Sequence, residues 1–196
     1  MDYQKVKILL SKIKLTAPKV LVLGDIMLDC YINGSVRRIS PEAPVPILDF
    51  EKEKYVLGGA GNVAHNLINL GAKVKLATVI GDDSKGKIVQ GLIKKLKIPL
   101  DYVHSSANIN TTKKTRFISN STQLLRLDTD SSGFKAVDYK LLKEKVKNVI
   151  GKLDCIIISD YDKGACSTDI VQYIISVADQ EKIPIFIDPK GDSWSK

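Results

Sequence analysis

The chain has 196 residues, 44% hydrophobic and 27% charged, which suits one buried core, with at most a small appendage. No run is long and apolar enough to span a membrane, and the opening residues offer no signal-peptide core. A formal charge of +8 invites a nucleic-acid partner, but the lysines are scattered, alternate with acids as in Glu51–Lys54, and are not interleaved with aromatics, so a solvated lysine-rich surface is expected instead.

Residues 1–18 mix lysines with short apolar pairs and read as a leading helix lying on the domain. Val20–Leu23 is the first of four short apolar runs, followed by Val74–Ile80, Cys155–Ser159 and Ile185–Asp188; each reads as a buried parallel strand. Asp25 falls just past the first run, at the carboxyl end of a strand, where open α/β sheets bind ligands. Asp29 follows four residues later, and carboxylates in this place suit vicinal hydroxyls.

Residues 31–56 carry Pro41, Pro44 and Pro46, which exclude helix, and then the alternating run I-L-D-F-E-K-E-K-Y-V. Thr112–Asp128 reads as two strands around a turn near Asn120 and Ser121. Segments of about 31–56 and 101–128 therefore predict a small, half-exposed antiparallel β-lid. Between and after them lie four helical stripes: Val63, Leu67 and Leu70; Ile88, Val89, Leu92, Ile93 and Leu96; Leu142, Val146, Val149 and Ile150; and Ile170, Ile174, Ile175 and Ala178. Strands alternating with helices predict an α/β fold with a parallel, Rossmann-type sheet flanked by helices. Cys30, Cys155 and Cys166 are odd in number and unspaced for pairing, which predicts reduced thiols in a cytoplasmic protein. With only His65 and His104, a structural zinc site is not expected.

The stretch Y-V-L-G-G-A-G-N-V-A-H-N-L poses the ligand question. Gly59, Gly61 and Ala64 match a dinucleotide fingerprint, but the preceding strand is too charged to be sandwiched between helices, as that site requires. A kinase anion hole needs a carboxylate next, and Asn62 stands there. What remains is a turn whose N–H groups and Asn62 hydrogen-bond a polyol, or a turn that only packs a helix on the sheet.

Asp25 and Asp29, with Gly58, Gly59 and Asn62 in G-G-x-x-N spacing and I-G-D-D-S-K-G-K at Ile80–Lys87, resemble the ribokinase-like (PfkB) carbohydrate kinases. R-R-I-S-P-E-A-P-V-P-I-L (Arg37–Leu48), T-Q-L-L-R-L-D (Thr122–Asp128) and S-D-Y-D-K-G-A-C-S (Ser159–Ser167) narrow the resemblance to the D-glycero-β-D-manno-heptose 7-phosphate kinases, over residues 19–196. The resemblance implies ATP and Mg2+ as cofactors, a sugar phosphate as substrate, and transfer to its anomeric hydroxyl on the route to ADP-heptose for lipopolysaccharide core. It implies that Asp25, Asp29, Gly58, Gly59 and Asn62 hold the sugar, and that Arg38, Asp160 and Lys163 contact the sugar or its phosphate. Lys190 would face the nucleotide, and Arg116 and Arg126 are second-line candidates. For Arg38 an exposed lid arginine remains the alternative, and for Lys163 an ion pair with Asp160 or Asp162.

The family's catalytic aspartate comes from a late G-A-G-D turn, which does not occur between Met1 and Lys196. The resemblance therefore implies an N-terminal, sugar-facing portion with no catalytic residue of its own and no activity by itself. A homodimer is left open for the full-length parent. Another ribokinase-like sugar kinase, or a non-catalytic sugar-phosphate-binding module, are the alternative readings.

Overall fold

In the computed structural model, which describes residues 3–130 and 139–190, a leading helix precedes two interleaved sheets. The ends of the expected leading helix and of the D-P-K-G stretch, residues 1–2 and 191–196, lie outside the described residues. In chain order the elements are α1 (Tyr3–Thr16), β1 (Lys19–Gly24), β2 (Ile26–Ile39), β3 (Pro46–Gly59), α2 (Ala60–Asn69), β4 (Lys73–Gly81) and α3 (Ser84–Lys95). They continue with β5 (Val103–Ser106), β6 (Lys113–Ser119), β7 (Thr122–Thr129), α4 (Lys140–Ile150), β8 (Cys155–Ser159), α5 (Thr168–Gln180) and β9 (Ile185–Asp188).

The core sheet runs β5-β4-β1-β8-β9 with every pairing parallel. Strand β1 reads as continuous apolar sequence because both its faces are covered. Val20 and Val22 join the core under α2 and α3, while Leu21 and Leu23 join the one under α4 and α5. The helical stripes behave as expected: Val89 and Ile93, Leu142 and Val146, and Ile170 and Ile174 are all buried.

Three expectations need correction. Strand β9 pairs with β8 but lies at the sheet edge, with Phe186 61% and Ile187 37% exposed, so it is not a buried strand among the described residues. Helix α1 does not lie along the domain: Ile8, Leu9 and Leu15 are exposed, and its last turn touches Gly71 through Lys14. The lid is a mixed sheet, β3-β2-β6-β7, because β2 pairs antiparallel with β3 but parallel with β6. It also starts earlier than expected, at Ile26. The turn between β6 and β7 falls at Asn120 and Ser121, both at positive φ, as the sequence suggested.

Asp83 fastens the core sheet to the entry of the lid. Its carboxylate caps α3 by accepting the Gly86 N–H (2.6 Å), and it accepts both the Thr111 N–H (2.9 Å) and the Thr111 hydroxyl (2.9 Å) just before β6. Burial works against this charge, but the Thr111 and Gly86 donors and nearby Lys85 outweigh it and hold the carboxyl below its usual range. A depressed carboxyl contributes stability above its unfolded pKa and loses it as pH falls through the folded value. Asp83→Asn should therefore destabilise the chain at neutral pH by roughly 1–2 kcal/mol, because its amide keeps one acceptor and turns an N–H2 toward a donor. The gap from the parent should narrow on acidification below the ordinary carboxylate range, measured by urea melts across pH.

Candidate functional site

The carboxyl ends of β1 and β8 meet the glycine turn and the root of the lid, and Asp25 ties these parts together. Its carboxylate is 2% exposed and accepts three backbone N–H groups, from Tyr161 (2.8 Å), Lys163 (3.0 Å) and Ala165 (2.7 Å). Its own carbonyl accepts the Ala60 N–H at 2.9 Å, fixing the start of α2. Desolvation pushes the Asp25 carboxyl up, the three N–H donors pull it down, and neighbouring Asp160 raises it further; burial wins. Both oxygens of Asp25 thus accept N–H groups from the chain's own loop, which makes it the anchor of that loop.

The glycine turn is built for close approach. Gly59, the N-cap of α2, has φ 58°, and a Cβ there would sit 2.2 Å from the Asp25 carbonyl oxygen. At Gly58 a Cβ would sit 2.3 Å from Asp29 Oδ2, so only glycine lets that carboxylate lie against the turn. The other oxygen, Oδ1, accepts Arg116 Nη1 at 2.6 Å, and the Arg116 guanidinium stacks over Tyr31 at 5.2 Å. Asp29 holds Arg116 more firmly protonated than an arginine alone, against a smaller opposing effect of burial. Asn62, in the first turn of α2, is exposed. Asp29, Gly58 and Gly59 are therefore brought together at the N-terminus of α2, with Asn62 in its first turn.

The lid face above them is basic. Cross-strand register sets Val56, Asp29, Lys114 and Asp128 in one row and Lys54, Tyr31, Arg116 and Arg126 in the next. Arg126 Nε donates to Asp128 at 2.9 Å. Lys163 does not pair with Asp160 or Asp162 as the alternative had it; it reaches Asp130, beyond β7, at 2.8 Å. Lys163 holds the Asp130 carboxyl below its usual range, with Lys114 and Lys190 adding to the field. Lys190 is exposed and close enough to Asp130 to act on it.

Two expected site residues are placed elsewhere. Arg38 is exposed at the far end of β2, nine positions beyond Asp29, or roughly 30 Å along an extended strand. It does not join this cleft within one copy of the chain. Asp160 is 4% exposed and turns inward, accepting the Asp162 N–H at 2.9 Å. Arg116, a second-line candidate of the sequence, touches Asp29 directly, and Lys114 stands on the same strand face. Their signal was the period of two in K-K-T-R, which puts Lys114 and Arg116 on one face of a strand.

Asp25, Asp160 and Cys166 place their ligand atoms within 4.8 Å of one another, all buried. This set does not fit Mg2+, a hard cation that takes oxygens and keeps waters, because one donor is a thiol and both Asp25 oxygens already accept N–H groups. Tyr139 closes the loop from outside, donating its O–H to the Gly164 carbonyl, and burial pushes its pKa up to about 12. The cysteine Sγ of Cys30 donates to Glu53 at 3.1 Å, and burial followed by that carboxylate pushes the thiol up to about 11. Such a thiol is no nucleophile at neutral pH.

The anchor reading of Asp25 gives a stability test. Asp25→Ala would leave three N–H groups unmet, one buried and two partly buried, and should cost on the order of 3 kcal/mol. Asp29→Ala, which removes one ion pair with its side chains 22% and 16% exposed, should cost less. Paired denaturant melts of the two variants check the order.

The pfkB family carbohydrate kinase profile matches residues 17–196. The bifunctional protein HldE of Aliarcobacter butzleri is 41% identical over 180 residues, covering 91% of this chain and 38% of that protein. HldE of Actinobacillus succinogenes is 43% identical over 178 residues, covering 91% and 37%. The chain thus spans less than two fifths of the length of these curated relatives. Among solved structures, the fold matches Arabidopsis thaliana ribokinase complexed with ribose and ATP with a TM-score of 0.65 at 19% identity, over 90% of this chain and 55% of that one. A profile matched over nearly the whole chain, together with a parallel sheet and a lid rooted beside a G-G-x-x-N turn, leaves one conclusion: the chain belongs to the pfkB family of carbohydrate kinases.

Proposed function

We propose that the chain is the sugar-binding portion of a kinase that uses ATP and Mg2+ to phosphorylate the anomeric hydroxyl of D-glycero-D-manno-heptose 7-phosphate, on the cytoplasmic route to ADP-heptose and lipopolysaccharide core. The observation that carries it is the Asp29 carboxylate, set against Gly58 on one side and Arg116 on the other. About 40% identity to HldE proteins favours the heptose phosphate over other sugars.

In this reading Asp29 accepts hydrogen bonds from sugar hydroxyls through the lone pairs Arg116 does not use. Gly58 and Gly59 let the ring approach the backbone, and Asn62 donates and accepts from the first turn of α2. Asp25 acts through the protein: it holds the 161–165 loop and the α2 N-terminus at fixed spacing, which orients the sugar. Bound ATP with its magnesium supplies the γ-phosphoryl group. Lys190, exposed beside Asp130, suits a phosphate oxygen at that edge. None of the chain's own carboxylates is assigned as base, since Asp25 and Asp160 are turned into the loop and Asp29 is paired.

Asp29→Ala should weaken heptose binding by about 1.5–3 kcal/mol, the range for a hydrogen bond to a charged group. Calorimetry with the unphosphorylated heptose measures this, and unchanged affinity would remove Asp29 from the sugar site.

A further inference from the structure

The carboxyl end of the core sheet carries Asp25 and the glycine turn, and the amino end carries a concavity of its own. A cavity of about 490 Å³ opens there, between the ends of α2 and α3 and the starts of β1 and β4. Its floor is apolar: Ile68 and Ala72 come from the end of α2, Leu96 and Ile98 from the end of α3, and Val74 and Leu153 from the sheet side. The volume is that of small-molecule pockets, and such a floor suits an apolar body. Strand β1, six residues long, separates this cavity from Asp25 by roughly 20 Å.

Every charged residue in the cavity wall is a lysine: Lys19, Lys73, Lys75 and Lys97. Lys19 and Lys73 are direct partners in the register of β1 and β4, a placing of like charges that destabilises a sheet. Lys19, Lys73 and Lys97 are exposed, and none of them forms an ion pair among the described residues. Lys75 lies with Nζ 4.9 Å over the Tyr102 ring. Asp154, next to Leu153, uses one oxygen to accept the Lys19 backbone N–H at 2.6 Å. Carbonyls at the two helix ends are already taken, Leu67 by the Ala72 N–H at 3.0 Å and Ile93 by the Ile98 N–H at 3.3 Å. The mouth therefore offers unpaired cations above an apolar floor.

We propose that this cavity binds an anionic amphiphile, a molecule with a carboxylate head and an apolar tail. The tail covers the floor and the head sits among Lys19, Lys73 and Lys97. Charge selects this occupant over the chain's own segments. Helix α1 ends beside this face, with Lys14 against Gly71, but it carries four lysines and no acid, so seating it here would add to the repulsion. A second copy of a chain with formal charge +8 meets the same objection. A carboxylate instead relieves the repulsion between Lys19 and Lys73 while its tail removes apolar surface from water. The inference stands apart from the sugar-kinase reading, because no residue of the glycine turn or the lid takes part in it.

The test is calorimetry on the full chain with three probes: decanoate, decanol, which keeps the tail, and acetate, which keeps the head. Decanoate should bind about tenfold more tightly than decanol at low salt, the yield of two or three exposed charge contacts, and acetate should bind far more weakly than either. Raising the salt should shrink the gap between decanoate and decanol. The double change Lys19→Gln with Lys73→Gln should remove most of that gap and leave decanol as in the parent. Ile68→Trp, which fills the floor, should weaken decanoate and decanol alike; if that variant fails to fold, the exposed lysine pair still decides. Asp29→Ala should leave decanoate binding unchanged. No binding by the parent, equal binding of decanoate and decanol, or acetate as tight as decanoate overturns the proposal. So does a full preference for decanoate retained in the lysine variant, and a loss in Asp29→Ala overturns it by moving the ligand to the glycine turn.

Discussion

One buried carboxylate sets the geometry of this protein. Asp25 donates its N–H to the Ser159 carbonyl at 3.1 Å, accepts Ala60 through its own carbonyl, and gathers three loop N–H groups on its side chain. The end of β1, the end of β8, the glycine turn and the first turn of α2 are therefore registered to one residue. Burying a charge costs free energy, and its raised pKa is the mark of that cost. Backbone donors offset it, and in exchange a five-residue loop containing Asp162 and Gly164 at positive φ is held in one conformation. Glutamate would carry the oxygens too far from β1, and asparagine would point an amide N–H2 at an N–H donor.

The lid depends on that anchor. Its root at Ile26 follows Asp25 directly, and its two charged rows begin at Asp29, packed on Gly58. The two faces of the lid differ accordingly. Leu28 and Cys30 point inward and are fully buried, whereas Asp29 and Tyr31 lie on the other face and gather charged partners from β6. The chain's surplus of positive charge thus has a local meaning that its scattered lysines hid. Part of it is concentrated on one face of the lid, where Lys54, Lys114, Arg116 and Arg126 share two neighbouring rows.

What could be read from sequence follows burial. Strands covered on both faces, β1, β4 and β8, announce themselves as unbroken apolar runs, and the amphipathic helices between them show their stripes. The G-G-x-x-N turn was legible because glycine reports a backbone constraint in its own identity. Strand β2 was not, since Asp29, Cys30 and Tyr31 alternate between a cleft and a core, and no run forms. Nor could sequence tell that Asp25 serves its own backbone and Asp29 pairs with Arg116, because both stand near the same strand end. Arg38 stands out by its motif, whereas Arg116 reaches Asp29 only through pairing: β6 lies beside β2 through a contact that spans more than eighty residues of chain, between Asp29 and Lys114.

That parallel contact has a consequence for how the molecule is assembled. The two halves of the lid, 26–59 and 113–129, are separated by α2, β4, α3 and β5, which all belong to the core. The lid is therefore not a module inserted at one point, and it could not be excised or grafted as a single segment. During folding, β6 has no template until the intervening core has brought the chain back to β2. Closing that long loop is an entropic step that local hairpins do not face. The hairpin β2–β3 can form early on its own register, so the cleft should be completed late, when the second arginine-bearing hairpin docks onto the first.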